Sequence, residues 1–354
     1  MNPSAAPSPA AGVAPARVLV IGAGAIGGLL AARLALAGHE VSVVARGAHA
    51  AAMQRRDHIL LEAHGEVRQA PVTAFDALAA APPAEFVFIT LKGYQLPPLA
   101  AALGALARAA RVCVPIQNGI GWWYFQKQAG PHAGRVVRAV DPEGALAAAF
   151  AGVTLAPGFA SMAAEVVAPG HVVTPASAAD AVLLGPLDPG DAGNVAAAQA
   201  AAAVIASSGL GAQAVEVRQA GWAKLLGNIW TNPVGALTGS TISHLASHPA
   251  GLDLARALMR EAEAVANALG MIPGLDYEAR FERSRTLRQG IKSSMLQDIE
   301  RGRPTERLAI VSALVELAGV AGLDAPRART LDACLQLLEE NLATARAAAA
   351  AARA

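Results

Sequence analysis

The feature that most constrains this chain is a glycine cluster that directly follows a short apolar run. Residues 17–21 have the composition of a buried strand, Gly22-Ala-Gly24-Ala-Ile-Gly27 follows at once, and a helical stretch, residues 29–37, comes next. In this context the first glycine makes the tight turn, the second lets the backbone approach a pyrophosphate, and the third lets the helix pack close to the strand. The cluster therefore predicts a dinucleotide site at the helix N-terminus. The expected cofactor-binding residues there are Gly22, Gly24, Ala25, Ile26 and Gly27.

Two other interpretations of this segment are a glycine-rich turn in an unrelated sheet protein and a membrane span. The run from Val18 to Ala32 carries no charge. It is, however, shorter than the about 20 residues that a spanning helix needs. It also contains four glycines and is followed by Arg33. The dinucleotide site is the interpretation that accounts for the strand, the spacing and the helix together.

The second predicted strand, residues 41–46, ends in Arg46, with no acidic residue at its tip. In NAD-binding units an Asp or Glu at this place accepts hydrogen bonds from the ribose 2′-hydroxyl. A guanidinium pairs instead with a 2′-phosphate, and a charge-assisted hydrogen bond is worth roughly 1.5–3 kcal/mol. Arg46 therefore predicts NADP(H) as the cofactor, preferred over NAD(H) by roughly ten- to a hundredfold. The alternative is a solvated surface arginine.

Composition excludes several classes of protein. The net charge of +1 gives no case for nucleic acid as a partner, and the two cysteines cannot form a disulfide framework. No metal-ligand spacing stands out among the eight histidines, so no metal site is expected. The Ala/Pro-rich residues 1–16 have neither a basic nor an uninterrupted apolar region, and we interpret them as a disordered leader. We expect a cytoplasmic protein without a membrane partner.

The order of predicted elements indicates two domains. Strands and helices alternate in the first half, whereas long amphipathic helices follow one another from residue 219 onward. The predicted fold is α/β: an N-terminal Rossmann-type doubly wound sheet at 17–217, a C-terminal all-α substrate and dimerisation domain at 218–345, and an Ala-rich tail at 346–354. The predicted strands include a hairpin at 58–62 and 66–69, and strands at 85–90, 111–115, 135–140, 165–167, 171–174, 181–184 and 212–217. The predicted helices include 94–108, 219–240, 248–269, 276–289, 305–321 and 327–347.

Three polar residues on the first of the long helices form a row. Lys224, Asn228 and Asn232 are spaced i, i+4, i+8, which places them within about 80° of one another over about 12 Å of helix. Their neighbours on the helix are mostly apolar. A partly dehydrated lysine has a depressed pKa and can donate a proton near neutral pH. The alternative is the solvated stripe of an amphipathic helix.

Together these segments resemble the ketopantoate reductase (2-dehydropantoate 2-reductase) family, over roughly residues 17–340. Beyond the glycine cluster, Arg46 and the Lys224 row, the resemblance rests on four blocks. They are Thr90-Leu-Lys92-Gly-Tyr-Gln95, Gln117-Asn118-Gly119, Ser293-Ser294-Met-Leu-Gln-Asp298 and Arg301-Gly-Arg-Pro-Thr-Glu306. The last two blocks look specific to this family and its close relatives.

The resemblance implies a role for each matching residue. Lys224 is the general acid that protonates the developing alkoxide, and Glu306 contacts the substrate hydroxyl or orients Lys224. Asn228 and Asn232 bind substrate oxygens, and Ser294 binds the substrate carboxylate. Lys92 and Asn118 line the cofactor cleft, with Asn118 also on the substrate side.

Several of these residues also have ordinary structural explanations. Lys92 can be a surface lysine, and Asn118-Gly119 is a common turn dipeptide. Ser294 can be the N-cap of the helix that contains Asp298. Thr305-Glu306, after Pro304, can be the acidic first turn of a helix.

The chain departs from the family pattern on the substrate side. Shortly after the residue that matches Glu306, the family typically has an aspartate and then an Asn-Gly pair, whereas this chain has Arg307-Leu-Ala-Ile-Val-Ser312. Apolar Ile242 also takes the place of a polar side chain in the family's loop. The resemblance therefore implies NADPH-dependent reduction of a small 2-oxo acid, with ketopantoate as the leading substrate. Another 2-oxo acid and a non-catalytic NADP(H)-binding regulator are the alternatives. The Ala/Leu-rich faces of the helical domain make a homodimer a candidate assembly.

Overall fold

The computed structural model describes residues 13–175 and 180–351, and the backbone alone for 349–351. The chain divides into two compact units. The first comprises the residues up to Gln117 with Phe125–Arg135 and Gly144–Val217, and the second comprises Asn118–Tyr124, Val136–Glu143 and the residues from Arg218 onward. Of the predicted leader, residues 1–12 lie outside the described part, as do residues 352–354 of the predicted tail.

The first unit contains twelve strands and five helices among its described residues. The strands are β1 Arg17–Ile21, β2 Glu40–Val44, β3 His58–Ala63, β4 Glu66–Pro71, β5 Thr73–Phe75, β6 Phe86–Ile89, β7 Val112–Pro115, β8 Gly158–Ser161, β9 Glu165–Ala168, β10 His171–Thr174, β11 Ala181–Leu184 and β12 Gly211–Ala214. The helices are α1 Ala25–Leu36, α2 Gly47–Arg56, α3 Ala100–Arg108, α4 Ala145–Ala149 and α5 Ala192–Ser207.

A five-stranded parallel sheet in the order β5-β2-β1-β6-β7 forms the centre of this unit. Strands β1, β6 and β7 are buried nearly throughout, as expected for a parallel sheet with both faces covered. The strand order reverses at β1, which is the topology of a nucleotide-binding Rossmann half. The predicted fold class is confirmed.

Two smaller sheets complete the unit, one in the order β4-β3-β10-β9 and one in the order β12-β11-β8. The predicted hairpin is present as β3 and β4, paired antiparallel. Its turn residues His64 and Gly65 both have positive φ, 53° and 79°, which is the conformation a two-residue hairpin turn requires.

The second unit is helical. Its helices are α6 Val217–Thr238, which begins at the last residue of the first unit, α7 Ile242–Ser247, α8 Pro249–Ala268, α9 Tyr277–Arg285, α10 Ser294–Glu300, α11 Ala313–Val320 and α12 Pro326–Ala351. A short π-helical turn, Leu308–Ser312, precedes α11. No helix among residues 13–175 and 180–351 is long and apolar enough to cross a membrane.

Two sequence predictions of local structure are wrong. The segment predicted as a strand at 135–140 runs as turns, because the backbone N–H groups of Arg138 and Ala139 donate to the Glu316 carboxylate, at 2.9 and 2.7 Å, instead of to a strand. The helix predicted from residue 94 begins only at Ala100. Pro97 and the proline after it lack the N–H groups that a continuous helix needs, so the preceding residues form short 3₁₀ turns.

Candidate active site

The glycine turn after β1 leaves no room for side chains at two of its three positions. Gly22 has φ +101°, and a Cβ there would lie 2.9 Å from the backbone N of Leu91. A Cβ on Gly27 would lie 2.2 Å from both Gly22 O and Thr90 Oγ1. Around Gly24, by contrast, no atom lies within 4 Å of where a Cβ would stand. The turn is thus tightly packed beneath and open above Gly24, as the approach of a pyrophosphate requires.

Two side chains to which the sequence analysis gave no role, Thr90 and His49, hold this turn. Thr90 Oγ1 donates to Gly22 O at 2.7 Å. His49 Nδ1 accepts from the N–H of Gly170 at 2.9 Å, so its Nε2 carries the hydrogen and donates to Ala23 O at 2.6 Å. Burial lowers the pKa of His49, against the opposing effect of its bond to Ala23, and favours the neutral ring. Neither residue belongs to a periodic pattern that marks it in the sequence.

The N-terminus of α1 is suited to an anion. Its N-cap, Gly24, provides no side-chain hydrogen bond, and the first turn contains no acidic residue. Gly24 is exposed, and Ala25 and Ile26 are partly exposed. The N–H groups of a first helical turn have no partner within the helix and attract negative charge. The arrangement fits the pyrophosphate of a dinucleotide.

Arg46 and Lys92 lie at the same edge of the sheet as this turn. Arg46 follows β2, is exposed, and forms the extended N-cap of α2. Lys92 follows β6 and caps a short turn in which its N–H donates to Gln95 Oε1 at 3.0 Å. Since β2 and β6 both pair in parallel with β1, their carboxyl ends share one edge. Both cations therefore lie where the rule for open α/β sheets places a ligand.

In the second unit, the predicted polar row lies on one continuous helix. Lys224, Asn228 and Asn232 all belong to α6, which continues past Pro233. The rest of α6 is anchored by Trp222, Leu225, Leu226 and Trp230, each at most 1% exposed. Trp230 packs edge-to-face on Phe281 of α9 at 5.6 Å, which sets α9 beside the row.

Lys224 lies close to one carboxylate and one guanidinium. Burial lowers the pKa of Lys224 to about 8, the charge of Glu306 opposes this shift, and the charge of Arg280 adds to it. Glu306 is itself buried and accepts a hydrogen bond from Asn118 Nδ2 at 2.9 Å. The second unit thus brings together Lys224, Glu306 and Asn118 from three distant parts of the sequence.

The other predicted substrate residues differ in their surroundings. Asn232 is buried, and its Oδ1 accepts from Thr231 Oγ1 at 3.3 Å. Ser294 is exposed in the first turn of α10, whereas Ser293 is the N-cap and accepts from the N–H of Leu296 at 3.3 Å. Ser294 is therefore not the cap of this helix. Among the described contacts, no hydrogen bond joins Ser294 to Lys224, Glu306 or Asn118.

The residues on both sides of Glu306 are fixed by Glu339 of α12. Thr305 donates from its N–H and its hydroxyl to Glu339 Oε1, at 3.0 and 2.6 Å, and Arg307 Nε donates to Glu339 Oε2 at 3.0 Å. Arg307 Nη1 also donates to Asp332 Oδ1 at 2.7 Å. Burial alone would lower the pKa of Arg307, but its hydrogen bonds and ion pairs with the two carboxylates outweigh burial and raise it.

The π-helical turn that follows Arg307 packs against the Asn118 segment. Ile120 N–H donates to Ala309 O at 2.8 Å, and a Cβ on Gly119 would lie 2.2 Å from the same oxygen. The backbone at Gly119 also has φ +77°, so both the close contact and the backbone conformation require glycine there. Ala309 and its two successors, Ile310 and Val311, are buried. The segment that lacks the expected aspartate and Asn-Gly pair is therefore a packed apolar turn.

Other kinds of site find no support in the described part of the chain. Between residues 13 and 351, apart from 176–179, no group of three His, Cys, Asp or Glu side chains is placed to hold a metal ion. Cys113 is a buried free thiol, and Cys334 is an exposed one. Burial raises the pKa of Cys113 far above its usual range, which leaves that thiol unreactive.

Comparison with known families agrees with this geometry. The model described as "Ketopantoate reductase PanE/ApbA" matches residues 18–188, and "Ketopantoate reductase PanE/ApbA C terminal" matches residues 216–339. The chain belongs to the ketopantoate reductase family. The resemblance inferred from the sequence motifs is confirmed.

Individual ketopantoate reductases are similar over nearly the whole chain. A 2-dehydropantoate 2-reductase of Mesorhizobium japonicum is 35% identical over 326 residues, which cover 91% of this chain and 96% of that protein. A crystal structure of a putative ketopantoate reductase from Ralstonia solanacearum has a TM-score of 0.83 at 32% identity and covers 92% of this chain and 98% of that one. The fold is also shared by a ternary structure of D-mandelate dehydrogenase with NADH and anilino(oxo)acetate, with a TM-score of 0.73 at 19% identity, covering 92% and 99%.

Membership of the ketopantoate reductase family makes the chain an oxidoreductase of the 2-dehydropantoate 2-reductase type. NADP dependence is typical of ketopantoate reductases. The packed turn follows Arg307, which pairs with Asp332 at 2.7 Å and with Glu339 at 3.0 Å.

Replacement of Arg307 tests whether this network holds the fold around Glu306. Arg307→Met leaves Asp332 and Glu339 partly buried without their cation, so we expect the free energy of unfolding to fall by about 3 kcal/mol. Urea denaturation at pH 7 measures the change. The matched control is Arg329→Met, which breaks the exposed pair with Asp324 and should cost less than about 1 kcal/mol. Equal losses in the two variants would contradict a structural role for the Arg307 network.

Proposed function

We propose that this chain reduces a small 2-oxo acid with NADPH, and that ketopantoate is the leading substrate. The observation that carries the proposal is the group around Lys224. A lysine whose pKa is lowered to about 8 stands beside a buried carboxylate, at one end of a row of two amides, in a chain of the ketopantoate reductase family. This arrangement supplies a proton donor and hydrogen-bond donors for one small polar molecule.

The residues of the first unit fit a phosphorylated dinucleotide. The glycine turn offers the pyrophosphate the N–H groups of α1, and Arg46 offers its guanidinium to a 2′-phosphate. Lys92, at the end of β6, adds a second cation at the same sheet edge. NADPH, when bound, supplies the hydride.

Lys224 supplies the proton. Negative charge develops on the ketone oxygen as hydride reaches the carbonyl carbon, and the ammonium stabilises that charge and then protonates the oxygen. The products are the 2-hydroxy acid and the oxidised dinucleotide, and solvent returns the proton to Lys224. The pKa of Lys224 is about 8, so the ammonium form dominates at any pH below that value and the donor is present at neutral pH.

The remaining residues position the substrate. Asn228 and Asn232 present amide groups along α6 to its oxygens, and Ser294 presents a hydroxyl from the start of α10. Glu306 keeps Lys224 protonated and oriented, while Asn118 fixes the Glu306 carboxylate by the hydrogen bond at 2.9 Å. Each of these side chains can donate or accept a hydrogen bond, which supports the proposed roles.

One observation favours a second candidate, another 2-oxo acid. The turn after Arg307 is apolar and packed, so it provides none of the polar groups that the family pattern has there. Loss of one hydrogen bond to a substrate hydroxyl can change discrimination by several orders of magnitude. D-mandelate dehydrogenase, which shares this fold, has been solved with NADH and anilino(oxo)acetate, a 2-oxo acid with an aromatic amide.

A panel of 2-oxo acids distinguishes these candidates. Oxidation of NADPH is followed by absorbance with ketopantoate and with branched, hydroxylated and aromatic 2-oxo acids. The highest kcat/KM identifies the substrate. Tight binding of NADPH without turnover of any acid would indicate a regulatory protein instead.

Truncation of Lys224 tests the proton donor. Lys224→Ala should lower kcat by at least about 100-fold and leave NADPH affinity nearly unchanged, because general acid catalysis contributes about 10²–10⁴-fold. Steady-state rates and a fluorescence titration with NADPH measure the two quantities. Lys127→Ala, at an exposed lysine, is the matched control and should behave as wild type. Unchanged turnover in Lys224→Ala would exclude Lys224 as the acid.

Reversal of the charge at Arg46 tests the cofactor preference. Arg46→Asp should weaken NADPH by at least about tenfold and NADH much less, because only NADPH carries the phosphate that pairs with the guanidinium. Arg55→Asp makes the same change of charge at an exposed position on the same helix, α2, and should affect both cofactors little. Equal weakening of NADPH and NADH by Arg46→Asp would point to a structural arginine.

A further inference from the structure

Arg280 of α9 lies directly against α6, at the residue before Asn228. A Cβ on Gly227 would stand 2.2 Å from Arg280 Nη2 and 2.7 Å from its Cζ. Any other residue at position 227 would therefore displace the guanidinium. A glycine inside a helix is less stabilising than an alanine, so position 227 gives up helix stability and leaves room for a cation beside the polar row.

One nitrogen of the Arg280 guanidinium, Nε, is buried and has no hydrogen-bond partner in the described part of the chain. The two glutamates of its own helix are paired with other arginines, Glu278 with Arg256 at 2.9 Å and Glu282 with Arg285 at 2.5 Å. A buried N–H group without a partner is costly, because it has lost water and gained nothing. Arg280 thus has a donor available for an acceptor that a ligand supplies.

The charges around Lys224 favour an anionic ligand. The effects of Arg280 and Glu306 on the pKa of Lys224, which oppose each other, place both groups within electrostatic reach of it. Arg283 adds a further positive charge that acts on Arg280. Positive charges therefore outnumber the one carboxylate, and an anionic group is favoured beside Arg280 over a neutral one.

We propose that Arg280 binds the carboxylate of the substrate, so that the site selects 2-oxo acids over neutral ketones. This inference rests on the proposed function and adds to it a residue that neither the sequence motifs nor the family resemblance marks. A guanidinium binds a carboxylate through two parallel hydrogen bonds, which fixes its orientation as well as its charge. The role differs from that of Ser294, whose hydroxyl carries no charge.

Binding of a non-reducible analogue tests Arg280 without any turnover. The probe is oxamate, a carboxylate beside an amide carbonyl, added to the NADP⁺-loaded protein and measured by calorimetry; its neutral isostere oxamide is the second ligand. Arg280→Gln should weaken oxamate by about 10- to 100-fold and leave oxamide unchanged. Arg280→Lys keeps the charge but not the paired hydrogen bonds, so its affinity for oxamate should lie between the affinities of wild type and of Arg280→Gln.

Arg283→Gln is the matched control: it removes an exposed guanidinium of the same helix whose charge acts on Arg280, and so separates direct binding from a general electrostatic effect. It should leave oxamate affinity within about twofold of wild type, as expected for a solvent-screened charge. Affinity for NADP⁺, which depends on the first unit, should be unchanged in all three variants and reports that they are folded. If Arg280→Gln does not fold, the oxamate affinity of Arg280→Lys is compared with that of wild type. A weaker affinity in Arg280→Lys supports the role of Arg280, and an unchanged affinity overturns it.

Kinetics separate this inference from the proposed function. With the best acid of the substrate panel, Arg280→Gln should raise KM at least about tenfold with a smaller change in kcat, and should not raise KM for the methyl ester of the same acid. An unchanged KM and unchanged oxamate affinity would overturn the role of Arg280 while the reductase activity stands. If wild type reduces no 2-oxo acid but binds oxamate through Arg280, the carboxylate site stands and the proposed reaction fails. A wild-type protein that does not bind oxamate would overturn the site.

Discussion

The second unit is organised around the opposing electrostatic effects that act on one lysine, Lys224. Dehydration favours the neutral amine of Lys224, and the nearby guanidinium of Arg280 does so too, whereas the carboxylate of Glu306 favours the ammonium. The balance leaves the lysine protonated at neutral pH but ready to release its proton. Any displacement of Glu306 would change that balance, which explains why so many contacts fix its position.

The contacts that fix Glu306 involve the Asn118 segment on one side and helix α12 on the other. Asn118 holds the Glu306 carboxylate, and Gly119 lets the Asn118 segment pack onto the turn at Ala309. Glu339 holds the residues on either side of Glu306. Arg307, which occupies the start of the segment where the chain departs from the family pattern, ties that segment to α12.

Sequence reasoning recovered what depends on local spacing. The glycine cluster, the parallel sheet and the helical second half follow from short-range patterns, and Lys224, Asn228 and Asn232 could be aligned because they share one helix. Arg280, Glu339 and His49 could not be found, because each acts on a residue far away in sequence and belongs to no periodic pattern. The predicted strand at 135–140 failed for a related reason: its backbone amides are satisfied by Glu316, a side chain nearly 180 residues away.

The most direct test of the account is the titration of Lys224 itself. The chain contains only four lysines, at 92, 127, 224 and 292, so methylene carbon-13 labelling at Cε gives few NMR signals, and Lys224→Met assigns the one that matters. The account predicts that this signal titrates near 8, with the ammonium present below that pH and lost above it. A signal that titrates near the ordinary lysine value of about 10.4 would show a hydrated lysine and would contradict the electrostatic balance on which the account rests.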